Sequence, residues 1–374
     1  MKVSNSVDMP NVPAMAVGEF VEELSGMYVR AVEGGTPFSA LPSVMLWGPP
    51  GVGKSQGVRQ IASALEARTG RRADVTDMRL LLFNPIDLRG IPVPNEGRTL
   101  AVWLKPQVFN MDPSDDVVNI LLLDEISAAP PTVQAAAYQI TLDRTCGEHR
   151  LPDNCIVMAA GNRVSDRSTA YRMPKALANR LLHIDVRADF ASWRAWAVRA
   201  GVNDKVVAYL AFRPDRLSAF DAAADDLAFA TPRSWEMAAA IIEGLGGDVD
   251  AAYPLVSGVI GAGAASELRT WSRVYAGLPE IGDVFAGRAT KVPRKADALY
   301  ALVSAMTARA RTVKDDLDAI ERSIRYEEKL PADFSALLMK DYLNLAPGYR
   351  GQLMRMPAFI QWVDGKGAVL DAGY

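Results

Sequence analysis

Between Ser43 and about Val186, short apolar runs alternate with stretches of helical spacing. That alternation is the signature of a parallel sheet covered by helices on both faces. The runs SVMLW (43–47), ADVTDM (73–78), VNILLLD (118–124), CIVMAAG (155–161) and LLHIDV (181–186) predict five strands. After Asp189 the strand pattern stops. DFASWRAWAVRAGV, SWEMAAAIIEGL, ADALYALVSAMTARARTVKDDLDAIERSI and PADFSALLMKDYLNL all place apolar residues at helical intervals. Pro214, Pro232, Pro254, Pro279, Pro293, Pro331 and Pro347 punctuate this half, which predicts short helices and disfavours a coiled coil. The expected fold class is α/β, a five-stranded parallel sheet followed by helices. The expected division is an N-terminal segment (1–40), the sheet domain (41–188), a helical segment (189–280) and a C-terminal helical region (281–374), with a break near 270–290.

Composition narrows the partners. The chain has 374 residues and is 49% apolar, enough for sizeable cores. Forty-one Lys and Arg against 44 Asp and Glu give a formal charge of −3, so no bulk basic field is present to hold a phosphate backbone, and nucleic acid is a weak default partner. Asp8, Pro10 and Pro13 interrupt the first thirty residues, no signal peptide is read, and a cytoplasmic location follows as the default. AAYPLVSGVIGAGAA (251–265) is too short to span a membrane and reads as a buried helix or helix pair of small residues. Cys146 and Cys155 with His149 between them invite a metal reading. The missing fourth ligand and missing CxxC pair favour two ordinary thiols near a hairpin.

The chemistry is concentrated in three places. Gly48-Pro49-Pro50-Gly51-Val52-Gly53-Lys54-Ser55, followed by Gln56, fits GxxxxGK[ST] between a strand and a helix, the context that pattern requires. Glycines let the backbone wrap a polyphosphate, and its N–H groups with the helix N-terminus supply positive partial charge. Lys54 then bridges the β- and γ-phosphates of ATP, and Ser55 is a ligand for Mg²⁺. NILLLDEIS (119–127) puts Asp124 and Glu125 at the end of a wholly apolar strand, Asp124 to hold the metal and Glu125 to polarise the attacking water. A helix N-cap accounts for one of these carboxylates but not both. CIVMAAGN ends a further strand with Asn162, which can orient that water, although an Asn before a loop is by itself a common turn residue.

Taken together, LWGPPGVGKS, LLLDEIS, AAGN, LANRLLHIDV and FATPRSW resemble, in order and spacing, the AAA+ ATPases and within them the MoxR-like group, over nearly the whole chain. The resemblance implies an AAA+ core followed by a helical lid at 189–280. It makes Asn162 the first sensor, Arg180 the arginine finger reaching a neighbour's γ-phosphate, and Arg233 the second sensor, acting in its own subunit or the next. By residue type alone, Arg180 also suits a helix C-terminus and Arg233 a helix start. FNPIDLRGIPVPNEGRTLAVW (83–103) resembles the helix-2 insert that projects toward the ring pore, and DRTCGEHRLPDN (143–154) the hairpin before the first sensor; plain surface loops are the alternative. Trp193, Trp196 and Trp235 read as packing residues, and ARTGRR (67–72) as the solvated end of the helix behind the phosphate loop.

The implied function is ATP hydrolysis by a homo-oligomeric, hexameric ring that remodels or assembles a protein client. The group's habit implies a separate adaptor carrying a von Willebrand factor A domain. Two alternatives stand beside it: a nucleotide-gated scaffold with little turnover, and a DNA-directed motor of the same superfamily, against which the acidic balance argues.

Overall fold

The computed structural model describes residues 11–166, 175–221, 224–346 and 348–366, together with Met9, Tyr171 and Met173. The chain divides into two compact units, Met1–Ala188 with Asp221–Asp225, and Asp189–Phe220 with Asp226–Tyr374.

The first unit is built on a parallel sheet. Its elements are β1 (Ala14–Ala16), α1 (Val17–Glu33), β2 (Val44–Trp47), α2 (Lys54–Thr69), β3 (Arg72–Arg79), α3 (Pro85–Arg89), the hairpin β4 (Ile91–Pro94) and β5 (Ala101–Leu104), β6 (Val117–Asp124), α4 (Pro131–Asp143), the hairpin β7 (Thr145–Cys146) and β8 (His149–Arg150), β9 (Cys155–Gly161), α5 (Lys175–Ala178) and β10 (Leu182–Arg187). The sheet runs β1-β10-β2-β9-β6-β3, with every neighbouring pair parallel. The five expected strands are all present, and a sixth joins them at the edge. β1 is only three residues long and too short to show a period. Its place is fixed by backbone pairing with β10, to which the carbonyl of Pro13 adds a hydrogen bond from Asp185 N–H.

β6 shows why the middle of this sheet reads as an unbroken apolar run. Val118, Ile120 and Leu122 enter a core with Phe20 and Leu24 of α1 and Val58, Ile61 and Leu65 of α2. The alternate residues Leu121 and Leu123 enter the opposite core with Val133, Ala136 and Ile140 of α4. Both faces are dry, so the period-two signal is lost. α1 lies close on α2, and at Gly57 even a methyl group would meet the Phe20 ring at 2.1 Å.

The two inserts touch each other. β4 and β5 pair antiparallel, Ile91 opposite Leu104 and Pro94 opposite Ala101. Cys146 of β7 donates its S–H to the Leu88 carbonyl of α3 at 2.7 Å, and His149 of β8 bonds through Nε2 to the Trp103 carbonyl of β5 at 2.8 Å.

The second unit is helical throughout its described residues, with α6 (Phe190–Ala200), α7 (Asp204–Phe212), α8 (Pro232–Gly244), α9 (Val249–Ile260), α10 (Ala262–Ser272), α11 (Ile281–Phe285), α12 (Ala296–Thr312), α13 (Leu317–Glu327), α14 (Ala332–Leu343), α15 (Tyr349–Leu353) and α16 (Pro357–Lys366). Segments 189–280 and 281–374 share this unit. Val198 of α6 lies in one core with Leu302 and Met306 of α12 and Tyr342 of α14. Arg194 of α6 forms a buried two-pronged pair with Asp341 of α14, at 2.9 and 2.6 Å. Trp193 and Trp235 are buried, and the Trp235 indole donates to the Arg216 carbonyl at 2.9 Å. The small-residue stretch 251–265 is a helix pair, but only a stripe of it, Ala252, Val256, Ile260 and Ala265, is buried, while Leu255 is exposed.

Candidate active site

The phosphate loop leaves the sheet at the end of β2, where the chain must turn sharply past β10. A Cβ on Gly48 would lie 2.6 Å from the Val186 carbonyl oxygen, so only glycine fits there. Gly53, with φ 109°, turns the backbone into α2, whose first residues are Lys54 and Ser55. Val52 is buried and pins the loop to the core beneath, while Gln56 is exposed.

Three strand ends converge on this loop. Lys54 Nζ donates to the carbonyls of Gly48 at 2.6 Å and Pro49 at 3.0 Å, and to Asn162 Oδ1 at 3.0 Å. Ser55 Oγ donates to Asp124 Oδ2 at 2.5 Å. The other Asp124 oxygen, Oδ1, accepts the N–H of Glu125 at 2.8 Å. Glu125 itself has φ 60°, a left-handed backbone that a residue with a Cβ adopts only when its surroundings enforce it. Ile126 N–H bonds the Ala160 carbonyl of β9, and the Glu125 carbonyl accepts from Ala128 and Ala129, which together lock that turn. Asn162 is held in turn by its N–H, which donates to Ser127 Oγ at 2.9 Å. Lys54, Ser55, Asp124, Glu125 and Asn162 thus form one connected cluster at the carboxyl edge of the sheet, where α/β sheets bind their ligands.

Two of the predicted residues lie apart from these contacts. Arg180 is exposed in the turn after α5, without a hydrogen bond or ion pair among the described residues. Arg233 belongs to the second unit, exposed at the second position of α8, a helix capped by Thr231 Oγ1 accepting from Ser234 N–H at 3.0 Å. A cation in a first helical turn opposes the helix dipole, so Arg233 is not there for the stability of α8.

The sequence reading passed over a buried charged group next to Asn162. Arg163 forms a buried ion pair with Asp185 of β10, and its N–H donates to Asp166 Oδ2 at 2.8 Å. Burial raises the Asp166 carboxyl above its ordinary value, against the opposing pull of the Arg163 N–H and of the Arg163 and Lys54 charges. The available signal was a charged residue directly after AAGN, and an Asp two places after His183 within a strand.

The segment carrying these motifs has known relatives. Residues 43–183 match the family described as "ATPase family associated with various cellular activities (AAA)". The chain is similar to Chaperone MoxR1 of Mycobacterium tuberculosis (strain ATCC 25618 / H37Rv), with 28% identity over 143 residues, 37% of this chain and 34% of that protein. It therefore spans about a third of the length of this curated relative. Among solved structures, C. elegans PCH-2 aligns with a TM-score of 0.35 at 14% identity, over 83% of this chain and 71% of that one. A point mutant of Thermotoga maritima RuvB aligns with a TM-score of 0.34 at 14% identity, over 93% and 94%. Residues 43–183, with their ordered motifs and parallel sheet, are thus similar to the AAA ATPases and, through the M. tuberculosis relative, to the MoxR-like group.

Proposed function

We propose that this protein hydrolyses ATP as a homo-oligomeric ring, hexameric in the manner of the ATPases it resembles, and uses that cycle to remodel or assemble a protein client. The observation that carries the reading is the convergence of Lys54 with Asn162, and of Ser55 with Asp124, at adjoining strand ends. Glycine-lined backbone from Gly48 to Gly53 receives the polyphosphate, and Lys54 meets the charge of its β- and γ-phosphates. The Ser55 hydroxyl and Asp124 carboxylate are hard oxygen donors of the kind Mg²⁺ takes, and they are already within hydrogen-bond reach of each other. When bound, Mg²⁺ neutralises charge that develops on the phosphate oxygens. Glu125 polarises the attacking water, and Asn162 orients it against the γ-phosphate.

Arg180, exposed at a turn, comes from the adjacent subunit to stabilise charge on the γ-phosphate. Arg233 is the second sensor, for its own subunit's nucleotide or its neighbour's. Exposed Ile86, Ile91, Leu100 and Leu104 on the longer insert support a protein-contact role there. The chaperone name of the M. tuberculosis relative supports a client of protein nature. A separate polypeptide with a von Willebrand factor A domain serves as adaptor. No helix among the described residues is long and apolar enough to cross a membrane, and we place the work in the cytoplasm.

The test is Arg180→Ala within an assembled ring. Turnover per subunit should fall by about 10³-fold, the usual worth of such a finger. Unchanged turnover would remove the neighbour's arginine from the reaction. A Glu125→Gln ring that assembles on ATP and still serves its client as well as wild type would favour the nucleotide-gated scaffold instead.

A further inference from the structure

We infer that His183 is a positioning residue for the arginine finger, setting Arg180 by a hydrogen-bonded bridge that begins at the residue preceding the phosphate loop. The inference rests on the trans-acting role proposed above for Arg180. Trp47 ends β2 directly before Gly48, and its indole Nε1–H donates to His183 Nδ1 at 2.9 Å. Indole nitrogen is only a donor, so Nδ1 must be the acceptor and the imidazole must carry its proton on Nε2. That Nε2–H faces the Ala178 carbonyl at 2.7 Å. Ala178 is the last residue of α5, and its carbonyl also accepts Leu181 N–H at 3.2 Å, closing the turn in which Arg180 sits.

The bridge is stiff as well as bonded. The Trp47 and His183 rings stack with centroids 6.1 Å apart and planes 17° from parallel. β10 and β2 are paired in register, Ile184 opposite Leu46 and Asp185 opposite Trp47, so the backbone beneath both rings is fixed. By contrast, Arg180 has no side-chain hydrogen bond or ion pair of its own among the described residues to set its place. A finger must meet charge at a defined point, and misplacement by about 1 Å costs on the order of 10²-fold in rate. One subunit's phosphate loop and the finger it lends to its neighbour are therefore built on the same pair of rings.

The experiment compares His183→Phe, His183→Gln and Trp47→Phe with wild type, after confirming by mass that each assembles with ATP. Phe keeps ring bulk and removes both bonds, Gln restores an amide that can accept and donate, and Trp47→Phe removes the indole donor alone. The expected result for His183→Phe is a turnover number lowered by about 10- to 100-fold with the KM for ATP within about twofold, and substantial recovery in His183→Gln. Trp47→Phe should change turnover in the same direction, and it carries the test if His183→Phe does not fold. A rise in KM with unchanged turnover in these variants would overturn the inference.

Mixed assemblies separate a poor finger from a poor site. Glu125→Gln subunits lend an intact finger but do not turn over, so adding them to His183→Phe should raise turnover per His183→Phe subunit. Arg180→Ala mixed with Glu125→Gln should recover in the same way. Recovery in the Arg180 mixture but not in the His183 mixture would sink the positioning role of His183 alone. Recovery in neither would sink the trans finger, and the inference with it.

Discussion

Ser55 Oγ and Asp124 Oδ2 lie 2.5 Å apart, joining the first turn of α2 to the last residue of β6. On the proposed reading these two hard oxygen donors would hold Mg²⁺, which predicts that ATP turnover depends on a divalent cation. Chelation with EDTA should abolish phosphate release, and added Mg²⁺ should restore it. Asp124→Asn should lower turnover by about 10²-fold and shift the Mg²⁺ requirement upward in a titration. Full activity of Asp124→Asn at low Mg²⁺ would contradict this role.

If Glu125 polarises the attacking water as proposed, its backbone gives up stability for placement. Its φ of 60° costs roughly 1–2 kcal/mol relative to a residue without a Cβ. Glu125→Gly should therefore leave the thermal midpoint unchanged or raised while losing hydrolysis by at least about 10²-fold. Scanning calorimetry beside a phosphate assay reads both effects, and a midpoint lowered by several degrees would show that the side chain, not the backbone, dominates the energetics of this turn.

Asp166 predicts a pH dependence of stability. Burial raises its folded-state value above the ordinary 3.8, so the folded protein holds this proton more tightly than the unfolded chain does. In the window between those two values unfolding releases the proton, and stability declines as pH rises. Asp166→Asn keeps an oxygen to accept from Arg163 N–H but cannot ionise. In urea titrations it should match wild type in acid and exceed it at neutral pH. A variant less stable than wild type at neutral pH would show the carboxylate to be net stabilising.

In the helical unit the buried pair Arg194–Asp341 also accepts the Thr307 hydroxyl at 3.1 Å. Asp341→Ala strands a buried guanidinium and should cost about 3–5 kcal/mol. Replacing both partners by Met and Leu should cost much less, because neither charge is then left unpaired. Chemical denaturation of the single and double variants distinguishes the two cases.

What the sequence displayed and what it hid follow from range. VNILLLD announced a strand because every side chain from Val118 to Leu123 except Asn119 is apolar, and both faces of β6 are covered. The loop at Gly48–Ser55 was legible because its chemistry lies in consecutive residues. β1 was invisible because three residues carry no period and only backbone pairing holds them. Arg163 and Asp185 are 22 residues apart, and nothing local marks them as partners. His183 was read as part of a strand, since its meaning depends on Trp47, 136 residues away. Cys146 and His149 were read as ordinary residues near a hairpin, but their partners, the carbonyls of Leu88 and Trp103, lie 58 and 46 residues away and were not legible.

The most direct test of the central claim is phosphate release from ATP as a function of protein concentration, with mass determined in parallel, for wild type, Lys54→Ala and Glu125→Gln. A site completed by a neighbour predicts that turnover per subunit rises with assembly and collapses in both variants. Turnover independent of concentration, or retained in Lys54→Ala, would contradict an ATPase assembled across subunits.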